Sequence, residues 1–333
     1  MVTGTETLAE PAAGHIPAAG PGTSVSKSPT RIALERLRAD RVAMVCLGIF
    51  VFFVLVAIFA PLLAKLEGQD PNAYHFDLVN PDTTFPYAGI TSDHWFGVEP
   101  RLGRDNFARW VYGARPSLLV AGSVTVITTI VGVVVGMIAG FFGGWIDRVI
   151  SWVVDFVLSL PYLILAIATP AVIISAFYGG SEGTEPEQVA RVRFFSLILV
   201  LSFFGWAGLA RLIRGQVLSL REREFVAAAR VLGMPWRRVL FKELLPNLLA
   251  PIVVSASLAL PGYIVAEAGL TFLGVGLIEP TASWGVTISS AQRYYDNYPL
   301  YLWIPVLGIT ILVLALSLLG DAVRDAFDPR TRR

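Results

Sequence analysis

Two carboxylates, Asp155 and Glu267, fall inside long apolar stretches. An ionised acid in hydrocarbon is costly and often functional, so proton transfer is the chemistry these groups offer. Asp155 stands a few residues from Arg148, and Glu267 stands beside small residues, which favours ion-pair or hydrogen-bonding roles over a proton relay. A second group is the basic run from Arg211 to Asn247, where Arg211, Arg214, Arg221, Arg223, Arg230, Arg237, Arg238 and Lys242 surround Ala227, Ala228 and Ala229. Nucleotide chemistry is excluded. A phosphate-binding loop needs Gly-Lys followed by Ser or Thr, and none of the three lysines, Lys27, Lys65 and Lys242, follows a glycine. Cys46 is the single cysteine, and His15, His75 and His94 are scattered, so no metal or cofactor site is expected in this chain. His94 is expected to pack or hydrogen-bond within its loop.

The elements that must position these residues are set by the bilayer. The chain has 333 residues, of which 55% are hydrophobic and only 15% charged, with a mean hydropathy of +0.64. That mix lies outside the range of soluble domains. Six blocks approach or exceed the ~20 residues a membrane-spanning helix needs. They cover Val42–Leu63, Ser117–Phe142, Val149–Phe177, Phe194–Ile213, Leu248–Leu273 and Leu300–Leu319. Backbone groups in hydrocarbon must be satisfied within the segment, so the expectation is an all-α polytopic fold with six transmembrane helices. The Pro- and Gly-rich residues 1–30 read as a disordered tail, 31–63 as an interfacial segment with the first span, 64–116 as an external loop, 117–320 as the core, and 321–333 as a C-terminal tail.

Basic residues set the orientation. With the N-terminus cytoplasmic, the segments 1–41, 143–148, 211–247 and 320–333 hold 18 of the 26 basic residues, and the opposite side, including acidic Glu182, Glu185 and Glu187, holds eight. Arg101, Arg104, Arg109 and Arg115 on the external side oppose this trend, but long loops obey the rule poorly. Gly132, Gly136, Gly140 and Gly144 recur every four residues, which places them on one helix face where another backbone can approach closely. Pro161, Pro170, Pro251, Pro261 and Pro305 suggest kinked spans.

Between spans four and five, Ser219 is placed to cap a helix with Glu222 in its first turn, Gly233 to stop it, and Pro235 to start a second helix reaching about Leu245. The result is a helix-turn-helix protrusion. On physical grounds alone, an amphipathic hairpin lying on anionic lipid, suited by Trp236, and a docking element for a soluble partner are about equally favoured.

The spacing Ala-Ala-x-x-x-Gly, followed by Leu-Leu-Pro-Asn, resembles the EAA motif of bacterial ABC-importer permeases. His94-Trp-Phe-Gly, Leu102-Gly-Arg-Asp105, Tyr112-Gly-Ala-Arg-Pro-Ser117, Ala139-Gly-Phe-Phe-Gly-Gly-Trp-Ile-Asp-Arg148, Ala266-Glu-Ala-Gly-Leu-Thr-Phe-Leu-Gly274, Ser283-Trp-Gly285 and Leu319-Gly-Asp-Ala-Val-Arg-Asp-Ala-Phe-Asp-Pro329 are similar to signatures of the dipeptide/oligopeptide/nickel branch, as its C-type permease. That resemblance implies a type I importer permease fold and half of a peptide pathway in the bacterial cytoplasmic membrane. It also implies a homologous second permease, two ATP-binding-cassette ATPase subunits carrying ATP and Mg, an extracytoplasmic solute-binding protein, and membrane lipid as surroundings. No nucleic acid is expected as a partner. The coupling hairpin over 215–246 carries Glu224, Phe225, Ala227, Ala228, Ala229, Gly233, Trp236, Arg237, Leu245 and Pro246. Two departures stand out: Ala227 replaces the motif glutamate, and Val-Glu-Pro-Arg follows Gly97 in place of Thr-Asp plus one or two residues. A proton-coupled secondary transporter using Asp155 or Glu267 is the alternative class.

Overall fold

The computed structural model describes residues 29–178 and 185–328. The tail expected over 1–30 falls almost entirely outside these residues, as do Glu182 and the residues from Pro329 onward. Helix α1 (Pro29–Ala39) leads directly into α2 (Arg41–Glu67), where the Asp40 carboxylate accepts from Val42 N at 2.8 Å and Gly68 closes the helix in the left-handed region. The other long helices are α3 (Asn106–Phe142), α6 (Pro186–Arg221), α9 (Leu245–Phe272) and α11 (Pro299–Phe327). Shorter ones are α4 (Gly144–Ser159), α5 (Tyr162–Tyr178), α7 (Glu224–Val231), α8 (Trp236–Arg238) and α10 (Trp284–Ala291). Five helical stretches are long and apolar enough to cross a membrane, and the α4–α5 pair supplies a sixth crossing if it counts as one broken span.

That third span departs from expectation. Instead of one helix over Val149–Phe177, α4 and α5 meet at 85°. Leu160 is extended there (φ −73°, ψ 137°), because the ring of Pro161 disfavours a helical residue before it. The other four expected kink sites, Pro170, Pro251, Pro261 and Pro305, lie inside continuous helices. Helix α3 likewise begins eleven residues earlier than the Ser117 boundary, so the segment read as an external loop is helical from Asn106. At about 1.5 Å per residue its 37 residues run about 55 Å, from the cap formed by 68–105 and 273–298 to the opposite end of the molecule. The C-terminal boundary also shifts, since α11 continues through Asp321 to Phe327.

Helices α3 and α6 form the closest pairing, and the glycines explain it. A Cβ at Gly136 would lie 2.5 Å from the Ala210 carbonyl oxygen and 2.9 Å from Ile213 Cβ. At Gly132 it would meet Leu209 Cβ at 2.9 Å, and at Gly140 the Val217 Cβ at 2.7 Å. Each four-residue step along α3 thus meets a matching step along α6. Gly144 does not belong to this stripe: it opens α4 with φ +59° and has open space around it, because the chain turns at Gly143. Gly136→Val is expected to lose folded protein, since the atom it meets is backbone and cannot swing aside. Overpacking costs about 1–3 kcal/mol even where side chains yield. Yield of monodisperse protein after extraction is the readout, and Gly122→Ala, at a helical position of α3 with open space around it, serves as its counterpart.

The cap is held to the helices by buried charge. Arg104 donates through Nε to Glu99, and through Nη1 and Nη2 to Glu279 at 2.8 and 3.0 Å. Arg109, 1% exposed, adds a bond to Glu279 at 2.7 Å, and Tyr301 donates to Glu99 at 2.8 Å. Burial opposes the Arg104 charge, but the Glu99 and Glu279 contacts outweigh it and raise the guanidinium above its ordinary range. The expected hydrogen-bonding role of His94 takes a definite form: its Nδ1 lies 2.8 Å from Asp105, the residue that caps α3 by accepting from Ala108 N at 2.6 Å.

Candidate functional site

At the opposite end, the basic segment folds into a hairpin, though not with the predicted boundaries. Ser219 is not a cap, because α6 continues unbroken to Arg221. The short arm α7 starts at Glu224 after Arg223 in extended conformation. Gly233 does end it: its φ of +70° is a left-handed position that a side chain disfavours, while the space around it is open. The second arm is no separate helix. Pro235 precedes α8, which passes through a π-helical stretch (Val239–Leu244) straight into α9, so one continuous run, Trp236–Phe272, forms both the arm and the fifth span.

Apolar side chains seat the hairpin on the spans. Val226 and Ala229, three residues apart and therefore on one face of α7, are buried with Val239, Leu240 and Leu244 against Val133 and Met137 of α3 and Ile213 and Val217 of α6. Trp236 meets the Phe142 ring edge-on at 5.4 Å, Arg237 lies 5.2 Å over the Trp236 ring, and Arg230 lies 5.3 Å over Phe141 at the foot of α3. Ion pairs extend the unit to α4: Arg214 holds Asp147 through both nitrogens, and Arg211 pairs with Asp155. A cavity of about 460 Å³ between α3, α4 and α6 is lined by Asp155, Arg211 and Arg214 together with Ala139, Ser151 and Ala210.

The outer face of the hairpin is open. Glu224, Phe225, Ala227 and Ala228 are exposed, Gly233 and Pro246 likewise, and Leu245 is half-buried. Ala229 is the exception among the predicted contact residues, since it faces inward. Two residues the sequence reading passed over dominate the tip: Val231 is 88% exposed and Leu232 82%. Phe241 and Trp236 extend the apolar patch, and Arg223, Arg230, Arg237, Arg238 and Lys242 are exposed around it. The only available signal was a pair of apolar residues directly before a glycine stop.

Residues 132–333, which include this hairpin and the helices it rests on, match the family described as the inner membrane component of binding-protein-dependent transport systems. The chain belongs to that family. Residues 28–81 match the N-terminal transmembrane domain of oligopeptide transport permease C. This inner membrane component is 34% identical to the oligopeptide transport system permease protein OppC of Bacillus subtilis over 97% of both chains. It is 36% identical to the dipeptide permease DppC of Alkalihalophilus pseudofirmus over 92% of this chain and 91% of that one. Among solved structures, the inward-facing MetNI methionine ABC transporter is similar in fold, with a TM-score of 0.50 and 20% identity over 67% of this chain and 97% of that chain. The six-crossing helical expectation is that of a type I importer permease, and the fold agrees with it.

The two intramembrane acids are occupied in ways that leave the proton-coupled alternative without support. Asp155 is exposed and paired with Arg211. Glu267 is fully buried, and its two carboxylate oxygens accept from Ser117 Oγ at 2.7 Å and Thr271 Oγ1 at 3.2 Å. Thr271 Oγ1 in turn accepts from Leu277 N at 3.1 Å, so Glu267 ties α3 to the turn that follows α9. Glu267→Gln is expected to keep uptake near wild type, whereas Glu267→Ala leaves buried hydroxyls unpartnered and lowers stability by about 1–3 kcal/mol. Thermal unfolding of the purified protein and uptake, measured side by side, check both.

Proposed function

We propose that this inner membrane component forms half of the translocation pathway of an ATP-driven importer of di- or oligopeptides, and that separate ATPase subunits dock on its 219–245 hairpin. One observation carries the reading: an exposed apolar tip with an arginine rim, firmly seated on the spans, belongs to a chain that has no phosphate-binding loop of its own. The names of its relatives OppC and DppC support peptide as the cargo. A second, homologous permease completes the pathway, the two ATPases supply ATP and Mg chemistry, and an extracytoplasmic binding protein delivers the solute. The chain itself is non-catalytic. The concentration of arginine at 31–41 and 211–238 supports a cytoplasmic placement of the hairpin and both termini in a bacterial inner membrane.

The packing explains how such docking would do work. Hairpin, α3 and α6 share one core, and the Gly132, Gly136 and Gly140 contacts let α3 and α6 move only together. Closure of the ATPases on ATP would then shift these helices as a rigid body and change which side the pathway opens to. ATP drives that shift only through its greater affinity for the closed state.

Proteoliposomes containing this chain, the second permease and the two ATPases test the reading, with labelled dipeptide and the binding protein on the outer side. Uptake should require internal ATP and withstand an uncoupler. Uptake that persists without ATP and collapses with an uncoupler would contradict it.

A further inference from the structure

The cap carries a second charged surface at the point where the sequence departs from the family signature. Glu99 N donates to Arg104 O at 2.8 Å and Val98 pairs with Asp105, which makes Pro100-Arg101-Leu102-Gly103 the turn of a small hairpin. Arg101 sits in that turn with φ +73°, a left-handed conformation disfavoured for any residue with a side chain, and its N–H is fixed on the Thr84 carbonyl at 2.8 Å. Such an outlier persists only where the surroundings enforce it, and it points toward function.

The Arg101 side chain lines a cleft of about 190 Å³ together with Ser290 of α10 and Arg293 and Tyr294 from the segment after it. Both arginines are exposed. Neither forms an ion pair among the described residues, although Asp296 is only three positions from Arg293. Glu99, Arg104 and Tyr301 form the floor, all buried and bonded to one another. The Glu99 charge is thus already matched by Arg104, and Arg101 and Arg293 remain as two uncompensated cations over a closed base.

We propose that this cleft is a carboxylate-binding site that receives an Asp or Glu side chain of the extracytoplasmic solute-binding protein. The inference rests on the importer reading above, which puts the cap on the outer face. Two guanidinium groups with neighbouring hydroxyls suit a carboxylate, and the sealed floor makes the cleft a docking contact, since nothing bound there can pass further inward. Charge pairing of this kind sets the encounter rate and register of two proteins.

The test is the affinity of the binding protein for the complete transporter in lipid nanodiscs at two salt concentrations. The variants are Arg101→Gly, Arg293→Gln and the double reversal R101E/R293E. Glycine suits the left-handed position better than arginine, so Arg101→Gly removes the charge while keeping the turn. Each single change is expected to weaken docking about three- to tenfold and the double reversal about a hundredfold, with a flatter salt dependence and unchanged ATPase activity in the absence of binding protein. Wild-type affinity in the double reversal overturns the proposal. So does unchanged affinity with a raised KM for free peptide, which would assign the cleft to the peptide carboxylate instead. If the wild-type complex neither binds a binding protein nor transports, the importer reading itself has failed, and the docking site falls with it.

Discussion

Val231→Asp combined with Leu232→Asp should abolish ATP-driven uptake while the chain inserts, folds and accumulates as before. Both side chains are more than four-fifths exposed and contribute nothing to the core beneath the hairpin, so the fold has little to lose. At an interface the outcome differs. A pair of aspartates placed where apolar side chains enter a partner's pocket strands two charges away from water, and losing central apolar anchors costs about 2–4 kcal/mol. That corresponds to a loss of about thirty- to thousandfold in affinity for the ATPase subunits. Retention of the ATPases through affinity purification and uptake by the reconstituted complex are the measurements. Arg237→Gln, at the rim and stacked on Trp236, should do far less.

The second large effect is expected at the other end of the molecule. Arg104→Ala removes the cation that links Glu99, 2% exposed, to Glu279. Glu99 then keeps the Tyr301 hydroxyl and an Arg109 nitrogen no nearer than 3.9 Å. Breaking a buried ion pair from one side costs about 3–5 kcal/mol. The expected result is a fall in thermal midpoint on the order of 10 °C and faster proteolysis within 68–105. Arg104→Lys keeps the charge but cannot reach both carboxylates at once, so it should recover only part of the loss. Glu279→Gln should be milder, because that side chain is partly exposed and its amide oxygen still accepts from both arginines.

These two sites differ in how much of them the sequence discloses. Features with a short period are legible: the apolar blocks, the spacing of Gly132, Gly136 and Gly140, and the Ala-rich arm ending at Gly233 all lie within one or two helical turns. Features closed by distant partners are not. Arg109 and Arg115 argue for a polar loop when read in place, and both lie inside α3. Arg109 is neutralised by Glu279, 170 positions away, and Arg115 donates to the Ala57 and Ile58 carbonyls of α2 at 2.6 and 3.1 Å. Those same contacts remove these residues as evidence against the assigned orientation, since a residue whose charge is spent inside the fold says little about which side of the membrane it faces.

Proline gives a similar lesson. Of the five prolines expected to kink their spans only Pro161 breaks its helix, and residue type alone does not separate it from Pro170 nine positions later. Ser219 and Glu222 form a plausible cap in isolation, yet the apolar contacts of Val217 and Leu220 carry α6 through to Arg221. At the tip, nothing in the residue types of Val231 and Leu232 marks them as exposed; only the seating of Val226 and Ala229 shows that the opposite face of α7 is the one left bare. Ala227 lies on that bare face, one helical turn from Glu224, so the missing motif glutamate leaves Glu224 as the acid available there.

The central claim is that this bare face meets the ATPase and not the lipid headgroups. A photoreactive amino acid at position 232, irradiated in membranes that hold the assembled transporter, tests it most directly. The account predicts an adduct with the mass of an ATPase subunit, lost when the ATPases are omitted. Cross-linking to phospholipid alone, with the ATPases present and uptake intact, would contradict it.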